Sequence, residues 1–221
     1  MKRLILVSMT VLLTSALLCA DVLAQKKSTK VTSNRAIQLS PGSADRWFTD
    51  GRYVTVPHAA KVNRDIRSAQ LGDAAAQFRL ALRYDSGSGV LQNHAKSVKW
   101  LRKSADQGFA EAEYNLGSMY DRGLGVPQDF AEASRWYRQA AEHGFASAQM
   151  NLGAKYGRGE GVPRNRAEAY VWSSVAVMSG NKNAINNRDT AASMLSAEEL
   201  ANAQKRTQEL YEQIRQRMEN S

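Results

Sequence analysis

The sequence predicts an all-α fold, an α/α solenoid of helix-turn-helix repeats with a C-terminal capping helix, and three observations carry that prediction. The first is a period: Gly72, Gly108, Gly144 and Gly180 stand thirty-six residues apart, and Ala76, Ala112, Ala148 and Ala184 follow each of them by four. The second is what returns inside the period: Leu80, Leu116 and Leu152, then Tyr84, Tyr120 and Tyr156, and later Trp100, Trp136 and Trp172. The third is punctuation, because glycine pairs such as Gly123 and Gly125 recur before Val90, Val126 and Val162 and divide each unit into two apolar stripes. Self-similarity at this spacing marks supersecondary units that stack on one another.

The chain opens differently. Lys2 and Arg3 precede an apolar run from Leu4 to about Ala20, and Val22-Leu23-Ala24 ends on a small residue, so residues 1–24 read as a signal peptide cleaved before Gln25. An uncleaved anchor or a lipoprotein is the alternative, but Cys19 follows Leu18 where a lipidated cysteine would follow a small residue. After cleavage no cysteine is left for a disulfide and no transmembrane segment is expected. Losing Lys2, Arg3 and Asp21 leaves 28 basic against 20 acidic residues, a formal charge of +8. That charge favours anionic partners in general, but no nucleic-acid-binding motif accompanies it, and nucleic acid is not expected as a partner.

Residues 25–56 form a basic segment, disordered or strap-like. Its first part, 25–45, is rich in Ser and Thr and is expected to be disordered. "WFTDGRYVTV" at 47–56 fits an Asp-Gly hairpin or an extended strap over the first helix, and the strap is the preferred reading. Residues 57–71 read as an N-terminal half-repeat helix, with Ser68 and Ala69 matching Ala140 and Ala141 of a complete unit.

Three units follow, 72–107, 108–143 and 144–179. In the middle one, Ala112, Leu116, Met119 and Tyr120 fall within about 80° on a helical wheel and define a first helix. Gly123 and Gly125 can adopt positive φ, and Val126-Pro127 cannot continue the helix. Asp129 with Glu132, and Asn165 with Glu168, read as capping boxes for the second helix, while Asn93 keeps half of one. That helix places Ala133, Trp136, Tyr137, Ala140 and Ala141 on one face, and Gly117, Gly153 and the alanines mark close approach. Residues 180–221 read as a degenerate fourth unit and a capping helix that starts at Ser196 and Glu199, with Leu200, Thr207, Leu210, Tyr211, Ile214 and Met218 on its apolar side.

The pattern A-x-x-x-L-G-x-x-Y-x-x-G-x-G-V-P-x-D/N-x-x-x-A-x-x-W-x-x-x-A-A-x-x-G, carried by residues 72–179, resembles the Sel1-like repeat, a relative of the tetratricopeptide repeat. The first unit departs from it at Ala81 and Leu91. The resemblance implies an interaction scaffold without catalytic activity, in signalling, secretion or envelope regulation. Exported relatives with a disulfide in each repeat have been linked to β-lactam binding, and this chain lacks those cysteines.

Chemistry is sparse in the residues themselves. His58, His94 and His143 are not equivalent in the repeat and have no Asp, Glu or Cys at ligand spacing, so no metal site is expected. Asp85 and Asp121 read as solvated surface carboxylates, and no nucleophile elbow accompanies the serines. No catalytic residue and no cofactor are expected. What the core stripe leaves over is Tyr114, which lies some 160° from its centre and should be exposed. Phe78 and Met150 are its equivalents, an apolar ladder along one side. Carried over from tetratricopeptide geometry, that side lines a groove for a protein partner, floored by Phe78, Tyr114 and Met150. Leu82, Asp85, Glu111, Ser118, Asp121 and Arg158 would flank it. The expected protein is thus a periplasmic or secreted adaptor; the alternative is a binder of an anionic envelope polymer such as peptidoglycan, through the basic tail with Arg158, Arg164 and Arg166.

Overall fold

The computed structural model describes residues 46–49, 52–55 and 57–220. The expected signal peptide, its cleavage site and the segment 25–45 lie outside the described residues. β1 (Arg46–Thr49) and β2 (Arg52–Thr55) pair in a two-stranded sheet, so the hairpin replaces the strap that the sequence reading preferred. Asp50-Gly51, which stands between the strands in sequence, is the dipeptide that favours such pairing. The hairpin and the helices fall in separate compact units.

The helical unit runs α1 (Pro57–Gln70), α2 (Ala74–Ser86), α3 (His94–Ala105), α4 (Ala110–Arg122), α5 (Phe130–Glu142), α6 (Ala146–Arg158) and α7 (Arg166–Met178). A single 3-10 turn (Lys182–Ala184), a short α8 (Ile185–Ala192) and the long α9 (Ala197–Glu219) follow. Successive helices pack on one another, and the pairs α2·α3, α4·α5 and α6·α7 are the three repeats. Among the described residues no helix is long and apolar enough to cross a membrane.

The stripes read from the sequence are the core. Leu80, Leu101, Leu116 and Leu152 are fully buried, and Trp136, at 6% exposure, packs among Leu101, Leu116 and Met119. Close approach inside a repeat depends on glycine. A Cβ at Gly117 would stand 2.9 Å from the ring of Tyr137 and 3.2 Å from the carbonyl oxygen of Ala133 on α5.

Between repeats a second device recurs. The loop glycine Gly125 (φ +74°) lies against the backbone of His94 and Ala95 at the start of α3, and Gly161 (φ +72°) lies in the same way against Phe130 and Ala131 at the start of α5. Each has a left-handed backbone, and at each a Cβ would run into the carbonyl of the preceding repeat, so two independent constraints select glycine. Arg102 on α3 reaches the hydroxyl of Tyr120 on α4, and Arg138 on α5 reaches that of Tyr156 on α6, one repeat later in the same register.

Two capping boxes come out half made. Asp129 accepts from the N–H groups of Ala131 (2.9 Å) and Glu132 (3.0 Å), but the Glu132 carboxylate accepts instead from Nε1 of Trp136 at 2.9 Å. Asn165 likewise accepts from Glu168 N–H at 3.0 Å, while the Glu168 carboxylate pairs with Arg206 of α9 at 2.5 Å. Among the described residues, of the three expected boxes Ser196 and Glu199 alone form the reciprocal pair, at the start of α9. That helix buries Ala203, Thr207 and Ile214; Met218, expected on the same face, is exposed in its last turn, its sulfur over Gly144.

Candidate functional site

The first helices α2, α4 and α6 carry all the candidate residues. Phe78, Tyr114 and Met150 occupy the same register on them, and each is half-buried. Tyr114, expected to be exposed, is covered on two sides: its ring centroid lies 4.9 Å from that of Phe145 and 5.7 Å from that of Tyr137. Phe78 meets Phe109 at 5.3 Å. The Phe78 and Tyr114 rungs are therefore aromatic steps between one repeat and the residue before the next first helix, while the third rung, Met150, has no such aromatic partner among the described residues.

Phe109 and Phe145 were not picked out from the sequence. They hold the N-cap positions of α4 and α6 and make no side-chain cap bond there. The equivalent Asp73 and Asn181 do cap, Asp73 accepting from Ala76 N–H at 2.5 Å and Asn181 from Asn183 N–H at 3.1 Å. A phenylalanine where both outer positions carry a good capping residue was the available signal: the interior repeats exchange a cap for packing.

Tyr114, Ser118 and Asp121 converge on Tyr137. Burial first, then the charge of Asp121 and the ionisable hydroxyl of Tyr114 nearby, raise the Tyr137 hydroxyl far above the ordinary phenol range, against the bonds it makes with Asn151 and Ser118. It is a fixed neutral group.

The carboxylates are not free, contrary to expectation. Asp85 accepts from Nδ1 of His94 at 2.9 Å, and Asp121 is paired with Lys155, which the core buries to 2% exposure. Lys155 also donates to Glu160 at 3.0 Å and lies 4.4 Å from the centroid of Phe130. Its hydrogen bond holds the Glu160 carboxyl below the usual carboxylate range, against a small opposing effect of burial. Position matters here: a first helix ends beside the next repeat, so an acid there meets a cation that sequence distance hides.

Leu82, at 39% exposure, and Glu111 are open to solvent on α2 and α4. Arg158 does not join the ladder; it pairs with Glu160 at 3.0 Å and lines a cavity with residues of α7 and α8. Among the described residues no group of three or more His, Cys, Asp or Glu is placed to hold a metal ion. Buried Glu113 is bonded to Nδ1 of the exposed His143 at 2.8 Å; burial raises the Glu113 carboxyl and the His143 bond opposes it. Gln77 and Gln107 form the equivalent pair one repeat earlier, also at 2.8 Å, so this contact is part of the scaffold. The arrangement offers an apolar, partly open strip with fixed polar edges, suited to binding.

The profile of the Sel1 repeat matches residues 74–109, 110–145 and 146–181. Among solved structures the chain is similar to a Sel1 repeat protein from Oxalobacter formigenes, with 37% identity over 59% of this chain and 98% of that one and a TM-score of 0.55. It is also similar to a protective antigen of uropathogenic Escherichia coli strains that displays an SLR fold, with 28% identity, a TM-score of 0.54, and coverage of 73% of this chain and 42% of that one. A comparison with curated proteins gives no match.

Proposed function

This chain belongs to the Sel1 repeat family, whose members generally act as non-catalytic scaffolds for protein–protein interaction, and on that premise we propose that it is an exported bacterial adaptor. It holds a protein partner in the concave groove, along the side of α2, α4 and α6 that carries Phe78, Tyr114 and Met150. One observation carries the reading: Phe78, Tyr114 and Met150 repeat in register, each with part of its apolar surface left open and with exposed Leu82 and Glu111 beside them. Aromatic side chains held rigid by their neighbours lose little entropy on binding, which is why such groups dominate interface energetics. The periplasmic or secreted location rests on Lys2, Arg3 and the apolar run that follows them.

The test separates the surface from the core. Leu82→Asp with Glu111→Arg changes exposed residues and should leave the melting temperature unchanged, while enrichment of the partner in affinity capture from the cell envelope should fall at least about tenfold. Equal enrichment by the variant and the wild type would remove this face from the function, and recovery of full-length protein carrying residues 1–24 from the cytoplasm would remove the export.

A further inference from the structure

The three repeats act as controls for one another, and the third reverses the charge of the other two around the loop between its helices. Where the first two have Asp85 and Asp121, it has Gly157; where they have Gln92 and Gln128, it has Arg164; where they have His94 and Phe130, it has Arg166. With His neutral, these three positions carry one negative charge in each of the first two repeats and two positive charges in the third.

The replaced residues had structural tasks. Gln92 donates to the backbone oxygen of Asp85 at 2.7 Å and Gln128 to that of Asp121 at 2.8 Å, closing the end of the first helix, and the aspartates pair with His94 and Lys155. The third repeat gives up these bonds. It also sets two cations beside the N-terminus of α7, where the helix dipole disfavours positive charge. A local rule broken in one repeat and kept in its neighbours points to a use outside folding.

The substituted residues share a space. Arg164 and Arg166, with Arg158 from α6, line a cavity of about 280 Å³ between α6, α7 and α8. Asn187 and Thr190 of α8 add polar groups to its wall, and Gly153, Ala154 and Gly157 keep room open on the α6 side. All three arginines are exposed. Arg158 has Glu160 as a partner and the charge of Arg166 is felt at Glu199, but among the described residues neither Arg164 nor Arg166 makes an ion pair.

We propose that this cavity binds the phosphate group of a small ligand, gripped by Arg158, Arg164 and Arg166. Planar guanidinium forks match the oxygens of a phosphate two at a time, and a doubly charged group offsets an excess of positive charge that a single carboxylate would leave. A cavity near the lower end of the range for ligand sites suits a small phosphomonoester. An aspartate at position 157, as in the sister repeats, would repel it. The site is separate from the aromatic ladder, so it stands or falls independently of the partner-binding reading.

The test is titration of the folded full chain with inorganic phosphate, with glycerol phosphate and with acetate at constant ionic strength, followed by calorimetry and thermal melts. Both phosphates should bind and raise the melting temperature, acetate should not, and Arg164→Gln with Arg166→Phe should weaken phosphate binding at least about tenfold. These substitutions restore residues that the middle repeat already tolerates, and a melt without ligand confirms that the variant folds. Gly157→Asp should abolish the response as well. Absence of a phosphate response at millimolar concentration, an equal response to acetate, or undiminished binding by the double variant would each overturn the site. Arginine-dependent adsorption to phosphatidylglycerol vesicles without any response to the soluble phosphates would overturn it too, since the recognised group would then be a lipid surface.

Discussion

α5 and α7 are the second helices of neighbouring repeats and meet very different surroundings. α5 is two-faced: Ala133, Trp136, Tyr137 and Ala140 are buried while Arg135 and Gln139 face solvent. α7 is buried without a break from Glu168 to Ala176, except for half-buried Tyr170, because α6 lies on one side and α8 and α9 on the other. The polar groups follow the same division. Trp136 gives its N–H to Glu132 at 2.9 Å, whereas Nε1 of Trp172 and the hydroxyls of Ser173 and Ser174 are buried without a partner among the described residues. Both joints use a close glycine contact and a paired glutamate, but α5 leaves one face to solvent and satisfies its indole, whereas α7 is covered on both sides and leaves its indole N–H to apolar burial.

The largest effect that can break this comparison is loss of an indole. Trp136→Ala and Trp172→Ala should each cost about 3–5 kcal/mol in chemical denaturation, since both side chains are core at their own joint. A variant as stable as the wild type would place its tryptophan outside the core. A finer contrast follows from the N–H groups: Trp136→Phe should cost about 1 kcal/mol more than Trp172→Phe, because only Trp136 loses a hydrogen bond. Equal losses would mean that the Glu132 bond adds nothing to the joint.

Two smaller effects appear as pH dependence. The Glu160 carboxyl is held low by Lys155, so its contribution is present above the unfolded carboxyl value of about 4.3 and is lost as pH falls through the lower folded value. Lys155→Met, which installs the residue found at Met119 in the middle repeat, should flatten the acid limb of a stability–pH curve; an unchanged limb would show that the pair is not coupled to folding. Glu113 has the opposite sign. Burial raises its folded value, so the ionised carboxyl disfavours the fold increasingly as pH rises from about 4.3 through that value. Glu113→Gln, matching Gln77 and Gln149, should gain stability relative to wild type across that window, and a constant difference between the two curves would contradict the assignment.

The period, the helix pairs and the core tryptophans could be read from the sequence because they depend on residues close together in the chain, repeated three times. Trp136 and Leu116 follow from a helical wheel alone. The missed features depend on contacts across repeats. Phe109 covers Phe78 and Phe145 covers Tyr114 only once the units are stacked, and Lys155 meets Asp121 across thirty-four residues. Glu132 has two chemically reasonable choices, the cap backbone and Trp136, and only the rotamer seen here decides between them. Arg164 and Arg166 were noticed for their charge, but the cavity they line with Arg158 needs α8 in place.

The claim that repeats are joined by glycine laid on the preceding helix is tested most directly by one pair of thermal melts, Gly161→Ala against Gly157→Ala. At Gly161 the backbone is left-handed (φ +72°) and a Cβ would strike the Phe130 carbonyl; at Gly157, inside α6, the nearest atom to a Cβ is that of Ala169 at 3.7 Å, an ordinary contact. The same substitution should therefore act with opposite signs, Gly161→Ala losing at least about 2 kcal/mol and Gly157→Ala gaining about 0.5–1 kcal/mol. Two shifts of the same sign, or a Gly161→Ala variant as stable as the wild type, would contradict the joint described here.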